Sequence, residues 1–287
     1  MDIAQVKKLS ARLSFRFGRL GSIPSPGAGR TSLRGPGLSF IGYREYQYGD
    51  DIRSVDWNVA ARHGHPVVKL FEQEHASAVV CVVDGSASMR IPALAKWNVA
   101  RELAMLCAFA AAREGDAVGA VVVTHDVEFT SRPRRGMAHA NALARDLVGC
   151  RPLGSETRLA TGVECALRML RAPGVIVVVS DFLSAGWEWS VKTASRKHTM
   201  FGLNVLSPSE LNLPDAGLIH VRDVETGVTR WIDSSSAEVR AAYTTGAAAR
   251  RRNIKTRLDD AGATPVEILS NQGVAAQLRA ICRVRPV

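Results

Sequence analysis

In the stretch VVCVVDGSASMR, residues 79–90, an apolar run ends at Asp84, and Ser86 and Ser88 follow at alternate positions. Side chains two residues apart in extended backbone face the same side. One carboxylate and two hydroxyls can therefore address a single point, while Gly85 and Ala87 keep the turn compact. Zinc, which prefers nitrogen and sulfur, is poorly served by such a set. A hard dication is better served: Mg²⁺ accepts oxygen ligands in an octahedron of about 2.0–2.1 Å radius and retains waters.

Three donors do not complete a shell, and two further oxygens stand where the chain could supply them. Asp181 ends the strand-like VIVVVSD, and Thr157 lies in LGSETRL just before a helical pattern. Asp84, Ser86, Ser88, Thr157 and Asp181 together would give five oxygen donors, some acting through water, with one position left for a partner's carboxylate. Simpler readings exist for each residue. Ser86 and Ser88 could cap the helix beginning near Pro92, Asp181 could cap the next helix, and Ser155 or Thr161 could stand in for Thr157.

The elements that would position these residues alternate between strand and helix from Ser77 onward. Strands are expected at 77–84, 118–124, 175–180, 200–206 and 265–269, several of them near-continuous β-branched runs of the kind buried parallel sheets require. Helices are expected at 94–114, 138–148, 158–170, 187–196, 236–260 and 274–282, and a hairpin around Glu225-Thr226-Gly227 in 220–233. This order predicts a doubly wound, mostly parallel α/β sheet with right-handed crossovers and an inserted hairpin near 218–233. Ligands gather beyond the carboxyl ends of such strands, where Asp84 and Asp181 fall.

Upstream, residues 1–36 form a basic extension: a helical pattern over 2–20 (Ile3, Val6, Leu9, Leu13, Phe17), then a Gly/Pro-rich connection at 21–37. Residues 37–75 are dense in aromatic and charged residues, with a strand expected at 67–71, and are expected to pack on the α/β core at 76–287. The net charge of +10 is uneven, with +6 in the first 36 residues and a second cluster at Arg250-Arg251-Arg252, Lys255 and Arg257. Aromatics do not interleave with either cluster, so an acidic protein partner or a solvated face is expected rather than nucleic acid, and peripheral membrane contact stays open. The five cysteines include no C-x-x-C pair and read as reduced thiols. No run reaches the roughly 18–20 apolar residues of a membrane span, and the first residues lack a signal-peptide pattern. A soluble, cytoplasmic protein is expected.

The motif D-x-S-x-S with a distant Thr and Asp resembles the metal-ion-dependent adhesion site of von Willebrand factor A domains. The wider chain resembles the bacterial domain-of-unknown-function family 58. GPGLSFIGYREYQYGDDIRSVDWNVAAR, residues 35–62, carries that family's signature at Tyr43, Arg44, Tyr46, Gly49, Asp50, Asp51, Arg53, Asp56, Trp57, Ala61 and Arg62. VVVSDFL, LPDAG and DVETG fit as well. The likeness spans roughly residues 30–285. It implies a von Willebrand factor A-like core without catalytic activity, acting beside a MoxR-type AAA+ ATPase. It also implies an acid before Pro208, where this chain has Ser207.

The residues of the upstream block admit two uses. Asp50, Asp51 and Asp56 beside Arg53 and Arg62 could form ion pairs that pin the segment, with Trp57 as an apolar anchor; Arg44, Tyr46 and the rest of the block could instead form a docking surface or second metal site. His63-Gly64-His65 reads as a turn. Enzyme chemistry is the alternative class: a metal-dependent phosphatase or nuclease using Asp84 and Asp181, or Asp50, Asp51 and Asp56. A phosphatase of the haloacid-dehalogenase type needs a second acid where Ser86 stands, and no phosphate-binding G-x-x-x-x-G-K-[S/T] loop is present. The function expected is metal-dependent protein binding through Mg²⁺, or Mn²⁺ or Ca²⁺, with a partner's acidic side chain completing the shell.

Overall fold

The computed structural model describes residues 3–11, 13–14, 38–48, 50, 52, 55–73, 78–91, 95–222, 228–278 and 283–284. Contacts divide the chain into two units, residues 22–76 and a larger one of residues 1–21 with 77–287. In chain order the elements are α1 (Ile3–Ser10) and β1 (Leu13–Ser14) of the larger unit, then β2 (Leu38–Glu45), α2 (Trp57–His63) and β3 (Val67–Gln73) of the smaller. The larger unit resumes with β4 (Ala78–Asp84), α3 (Ala87–Arg90), α4 (Ala95–Arg113), β5 (Ala117–Val123), β6 (Val127–Arg135), α5 (Met137–Gly149) and α6 (Leu159–Met169). It continues with β7 (Val175–Ser180), α7 (Glu188–Ser195), β8 (Thr199–Leu206), α8 (Pro208–Leu211), β9 (Leu218–Arg222) and β10 (Thr229–Asp233). It ends with α9 (Ala237–Asp260), β11 (Ala263–Leu269), α10 (Val274–Gln277) and β12 (Arg283–Val284), which pairs with β1.

Six strands in the order β11-β8-β7-β4-β5-β6 form the central sheet, parallel throughout except for the β5–β6 pair. The expected fold class is therefore present. Val79, Cys81, Val83, Val177 and Val179 face a core built with α1, α4, α5 and α10. Val80, Val82, Ile176 and Val178 face a second core with α6, α7 and α9. Burial on both faces explains why β4 and β7 read as unbroken apolar runs rather than as alternation. Each core valine contributes about 1.5–3 kcal/mol of burial. α6 approaches the sheet closely through Gly162, where an added methyl would stand 2.8 Å from both Val82 and Val123.

Two differences from the sequence expectation stand out. The N-terminal helix stops at Ser10, whose hydroxyl donates to the Lys7 carbonyl at 2.7 Å and so satisfies a terminal acceptor. Val6 is nonetheless buried in the first core; Phe17 and the connection at 21–37 lie outside the described residues. β6 is an element the sequence reading lacks: VEFTSRPRR is polar and contains Pro133, which an edge strand tolerates. Pro265 likewise sits in β11 at the opposite edge. The hairpin forms from β9 and β10, with His220 opposite Trp231, while its tip at 223–227 lies outside the described residues.

In the smaller unit β2 and β3 pair antiparallel. Asp56 caps α2 by accepting from the Asn58 and Val59 amides at 3.1 and 3.3 Å. Gly64, in the left-handed region at φ 77°, closes the helix, so the His63-Gly64-His65 segment is a turn. No helix among the described residues is long and apolar enough to cross a membrane.

Gly162→Ala is expected to cost about 1–3 kcal/mol through overpacking, read as a lowered midpoint in chemical or thermal unfolding. An unchanged midpoint would show that α6 is not seated against Val82 and Val123.

Candidate functional site

The chain reverses its direction of winding between β4 and β7: α4 carries the chain from β4 to β5 on one face, and α7 carries it from β7 to β8 on the other. Strand ends that flank such a reversal open a crevice. Asp84 ends β4 and Asp181 follows β7, so both carboxylates stand at that opening.

Asp84 is fully buried. Its Oδ1 accepts from the Ser86 amide at 2.9 Å and its Oδ2 from the Ser180 hydroxyl at 2.6 Å. The Ser86 hydroxyl bonds to the carboxylate as well, and none of these donors is charged. Burial, reinforced by the negative charge of Asp181, pushes the Asp84 carboxyl up to about 6 despite those hydrogen bonds. The Asp181 influence also shows that the two acids converge, although 96 residues separate Asp84 from its hydroxyl partner Ser180.

Ser86 stands at the N-cap of α3, yet its side chain makes no capping hydrogen bond. Its hydroxyl lies instead 3.1 Å from that of Ser88. Two neighbouring ligands of an octahedral ion of 2.0–2.1 Å radius are separated by about 2.9–3.0 Å. The two hydroxyls hydrogen-bond to each other at a spacing that one hard dication could also bridge, and the Ser86 hydroxyl is not consumed by capping the helix. Gly85 must lack a side chain, because a Cβ there would lie 2.6 Å from the Pro152 ring.

Arg90 fixes the facing loop. Its guanidinium donates to the Pro152 carbonyl at 2.8 Å and to the Gly154 carbonyl at 2.6 Å, while the Ala87 amide donates to the Ser155 carbonyl at 3.0 Å. The Glu128 carboxylate accepts from the amides of Leu153 and Gly154 on the other side of the same loop. Thr157 is half-buried two residues beyond Ser155, and the Arg158 amide donates to the Thr124 carbonyl at the end of β5. The loop that carries Thr157 is thus tied to the rim beside Ser86.

Asp181 does not cap α7, whose N-cap position is Trp187. Its Oδ1 accepts from the Leu183 amide at 3.3 Å, and its Oδ2 from Lys96 Nζ at 2.9 Å. The same ammonium donates to Glu210 Oε1 at 2.6 Å. Lys96 is 1% exposed, and although desolvation opposes its charge, Asp181 and Glu210 together hold its pKa above the ordinary lysine value. Phe182, next to Asp181, is the one non-glycine residue with positive φ (54°) among the described residues. A left-handed bulky residue costs on the order of 1–3 kcal/mol, and here it is held by the Ser180 hydroxyl accepting from its amide at 2.9 Å and by edge-on packing on Trp187.

Sequence reasoning missed Lys96, Ser180, Glu210 and Asn204. A lysine on the same helical face as Ala100, Leu103 and Cys107 was the available signal for Lys96. Asn204 pairs in register with Ser180, placing Asp84, Ser180 and Asn204 in one row across three strands, and its buried Oδ1 finds no hydrogen-bond partner among the described residues. No three His, Cys, Asp or Glu side chains cluster as metal ligands among the described residues.

Two acids of the upstream block, Asp50 and Asp56, are engaged in local structure. Arg44 clamps both oxygens of Asp50 at 2.6 and 2.5 Å, and Asp50 also accepts from the Gln47 amide at 2.9 Å. Asp56 caps α2 and receives Tyr43 at 3.5 Å. Trp57 is 62% exposed, so it is not the buried anchor expected of it. With Tyr46, Ile52 and Val55 it lines a cavity of about 500 Å³. Arg62 is exposed; Gly49, Asp51 and Arg53 lie outside the described residues. The thiols of Cys81, Cys107, Cys150 and Cys165 are free, and Cys282 is outside the described residues.

A sequence profile of the family described as "Protein of unknown function DUF58" matches residues 42–253. The chain belongs to the DUF58 family. An uncharacterized protein of Mycobacterium tuberculosis is 29% identical over 264 residues, covering 90% of this chain and 80% of its own, and one of Mycobacterium bovis matches equally. Among solved structures, an aerotolerance-related membrane protein from Bacteroides fragilis is 18% identical with a TM-score of 0.46, over 71% of this chain and 96% of that one. Conserved hypothetical protein BatB from Bacteroides thetaiotaomicron is 16% identical with a TM-score of 0.45, over 71% and 95%. A von Willebrand factor type A protein from Catenulispora acidiphila is 15% identical with a TM-score of 0.36, over 49% and 35%. For this DUF58 chain the strand order, not these distant likenesses, fixes the fold class.

The raised carboxyl of Asp84 sets a pH dependence. The folded chain keeps a proton that the unfolded chain releases near 4. Its contribution to stability is therefore complete below about pH 4 and is lost as pH climbs through about 6. In chelator, Asp84→Asn, which mimics the protonated form, is expected to match the parent near pH 4 and to exceed it by on the order of 2 kcal/mol at pH 7.5. Thermal unfolding of both proteins across pH 4–8 checks this; parallel curves would remove the buried-charge argument.

Proposed function

We propose that this DUF58 protein is a non-catalytic binding module that captures an acidic side chain of a protein partner through a divalent cation. Asp84, Ser86 and Ser88 would hold the ion directly, with Thr157 and Asp181 in its surroundings. Mg²⁺ suits the donor set best, with Mn²⁺ or Ca²⁺ as alternatives. The observation that carries the reading is the pair of hydroxyls, Ser86 and Ser88, hydrogen-bonded to each other at 3.1 Å and not used to cap the helix, beside a buried carboxylate with no cationic partner among the described residues. A bound dication would supply the positive charge that recruits a carboxylate from outside. Three aliphatic side chains support a docking role: Ile91, Leu153 and Leu183 are 47, 87 and 45% exposed, in the segments that carry Ser88, Thr157 and Asp181. The partner we favour is a AAA+ ATPase of the MoxR type, as the family likeness implies.

A hydrolase at the same place is less well supported. Asp181 gives one oxygen to Lys96, and Ser86 stands where a phosphatase would keep its proton donor. Asp50 and Asp56 are engaged by Arg44 and by the start of α2.

Binding to a purified MoxR-type ATPase, measured by surface plasmon resonance, is expected to weaken at least tenfold in EDTA and to return with Mg²⁺. Asp84→Ala and the double change Ser86→Ala with Ser88→Ala should give the weak value in either buffer with an unaltered circular dichroism spectrum. Association that ignores chelator but falls with salt would move the contact to the basic surfaces and sink the metal-bridged reading.

A further inference from the structure

We infer that Lys96 is a specificity-determining counter-ion of this site: by holding Asp181 it keeps that carboxylate off the ion and leaves Asp84 as the single charged ligand. The inference rests on the metal-bridged reading above and concerns how the site chooses its ion.

The placement of Lys96 asks for an explanation. It lies in the first turn of α4, where a positive charge opposes the helix dipole, and it is buried, where an ammonium is costly unless paired. Nothing in the packing of α4 requires a charge there, since its buried neighbours are Trp97, Val99 and Ala100. The ammonium is aimed at two acids from distant parts of the chain, 2.9 Å from Asp181 and 2.6 Å from Glu210. Glu210 is itself fixed, because its other oxygen accepts from the Ser207 amide at 2.7 Å in a capping box at the start of α8. Asp181 thus has a charged donor, Lys96, beside the Leu183 amide, whereas the donors to Asp84, the amide and hydroxyl of Ser86 and the Ser180 hydroxyl, are all neutral.

The charges then add up in a definite way. With every group ionised, three carboxylates (Asp84, Asp181 and Glu210) and one ammonium (Lys96) would sum to two negative charges, which a dication neutralises. A monovalent ion would then leave the set negative and a trivalent ion would leave it positive. With one carboxylate directly available, the site favours an ion that keeps several waters, as Mg²⁺ does, over Ca²⁺, which gains from each added carboxylate oxygen.

Two substitutions move this balance in opposite directions. Lys96→Met removes the counter-charge and releases Asp181 toward the ion. Glu210→Gln keeps the capping box, which accepts Gln as well as Glu, and concentrates the ammonium on Asp181. Calorimetric titration of the purified full chain with Mg²⁺ alone and with Ca²⁺ alone provides the test. Lys96→Met is expected to tighten Ca²⁺ binding at least tenfold and Mg²⁺ binding by less. Glu210→Gln is expected to weaken both ions several-fold. Equal affinities in all three proteins, or shifts of the same sign in the two variants, would overturn the role of Lys96 while leaving the metal site standing. Should Lys96→Met fail to fold, Glu210→Gln decides the matter alone, and unchanged binding in it overturns the inference. A folded parent chain that takes up neither ion would remove the metal-bridged reading itself, and this inference with it.

Discussion

A carboxylate buried where the sheet changes its direction of winding is the constraint around which the rest of the larger unit is arranged. Asp84 sits at the end of the central strand β4, between parallel neighbours, with water excluded. Its charge is opposed by desolvation and by Asp181. An isolated ionised carboxylate in such a place would cost several kcal/mol, far more than the roughly 1 kcal/mol returned by each neutral hydrogen bond it accepts. The Ser86 amide and the Ser180 hydroxyl therefore orient Asp84 without compensating its charge. Compensation has to come from a proton or from a cation, and the proposed function rests on the second.

The surrounding architecture serves that disposition. Ser180 accepts from the strained Phe182 backbone while donating to Asp84, so the turn that directs Asp181 and the orientation of Asp84 depend on one hydroxyl. Arg90 and Glu128 grip the 152–154 loop from two sides, joining the segment that carries Thr157 to the helix that carries Ser88. Each of these contacts is modest in energy, but together they leave the rim little freedom to rearrange when a ligand arrives. A preorganised site loses less affinity to ordering on binding.

The sheet and its helices were legible because burial on both faces imposes long β-branched runs, and those runs survive in β4, β5, β7 and β8 as plain sequence pattern. The carboxylates at strand ends followed from the same logic. β6 escaped because an edge strand with solvent on one side can be polar and can contain a proline. Lys96 and Glu210 escaped for a different reason. Their meaning lies in a contact across 114 residues, and a lone lysine beside Trp97 carries no local mark of its partner. In the smaller unit the Arg44–Asp50 clamp and the Asp56 cap use short-range spacing that sequence can suggest, whereas the exposure of Trp57 is a property of the fold around it.

The two prolines in the outermost strands have a consequence for how the chain lives among its copies. Pro133 in β6 and Pro265 in β11 each remove a backbone donor from a row that would otherwise offer itself to a passing strand, and β6 adds Arg132, Arg134 and Arg135 to repel a like edge. A sheet this rich in valine is a strong template for stacking end to end. Here both borders are blunted, so growth of the sheet from molecule to molecule is discouraged and encounters with other proteins are steered away from its borders toward side-chain surfaces.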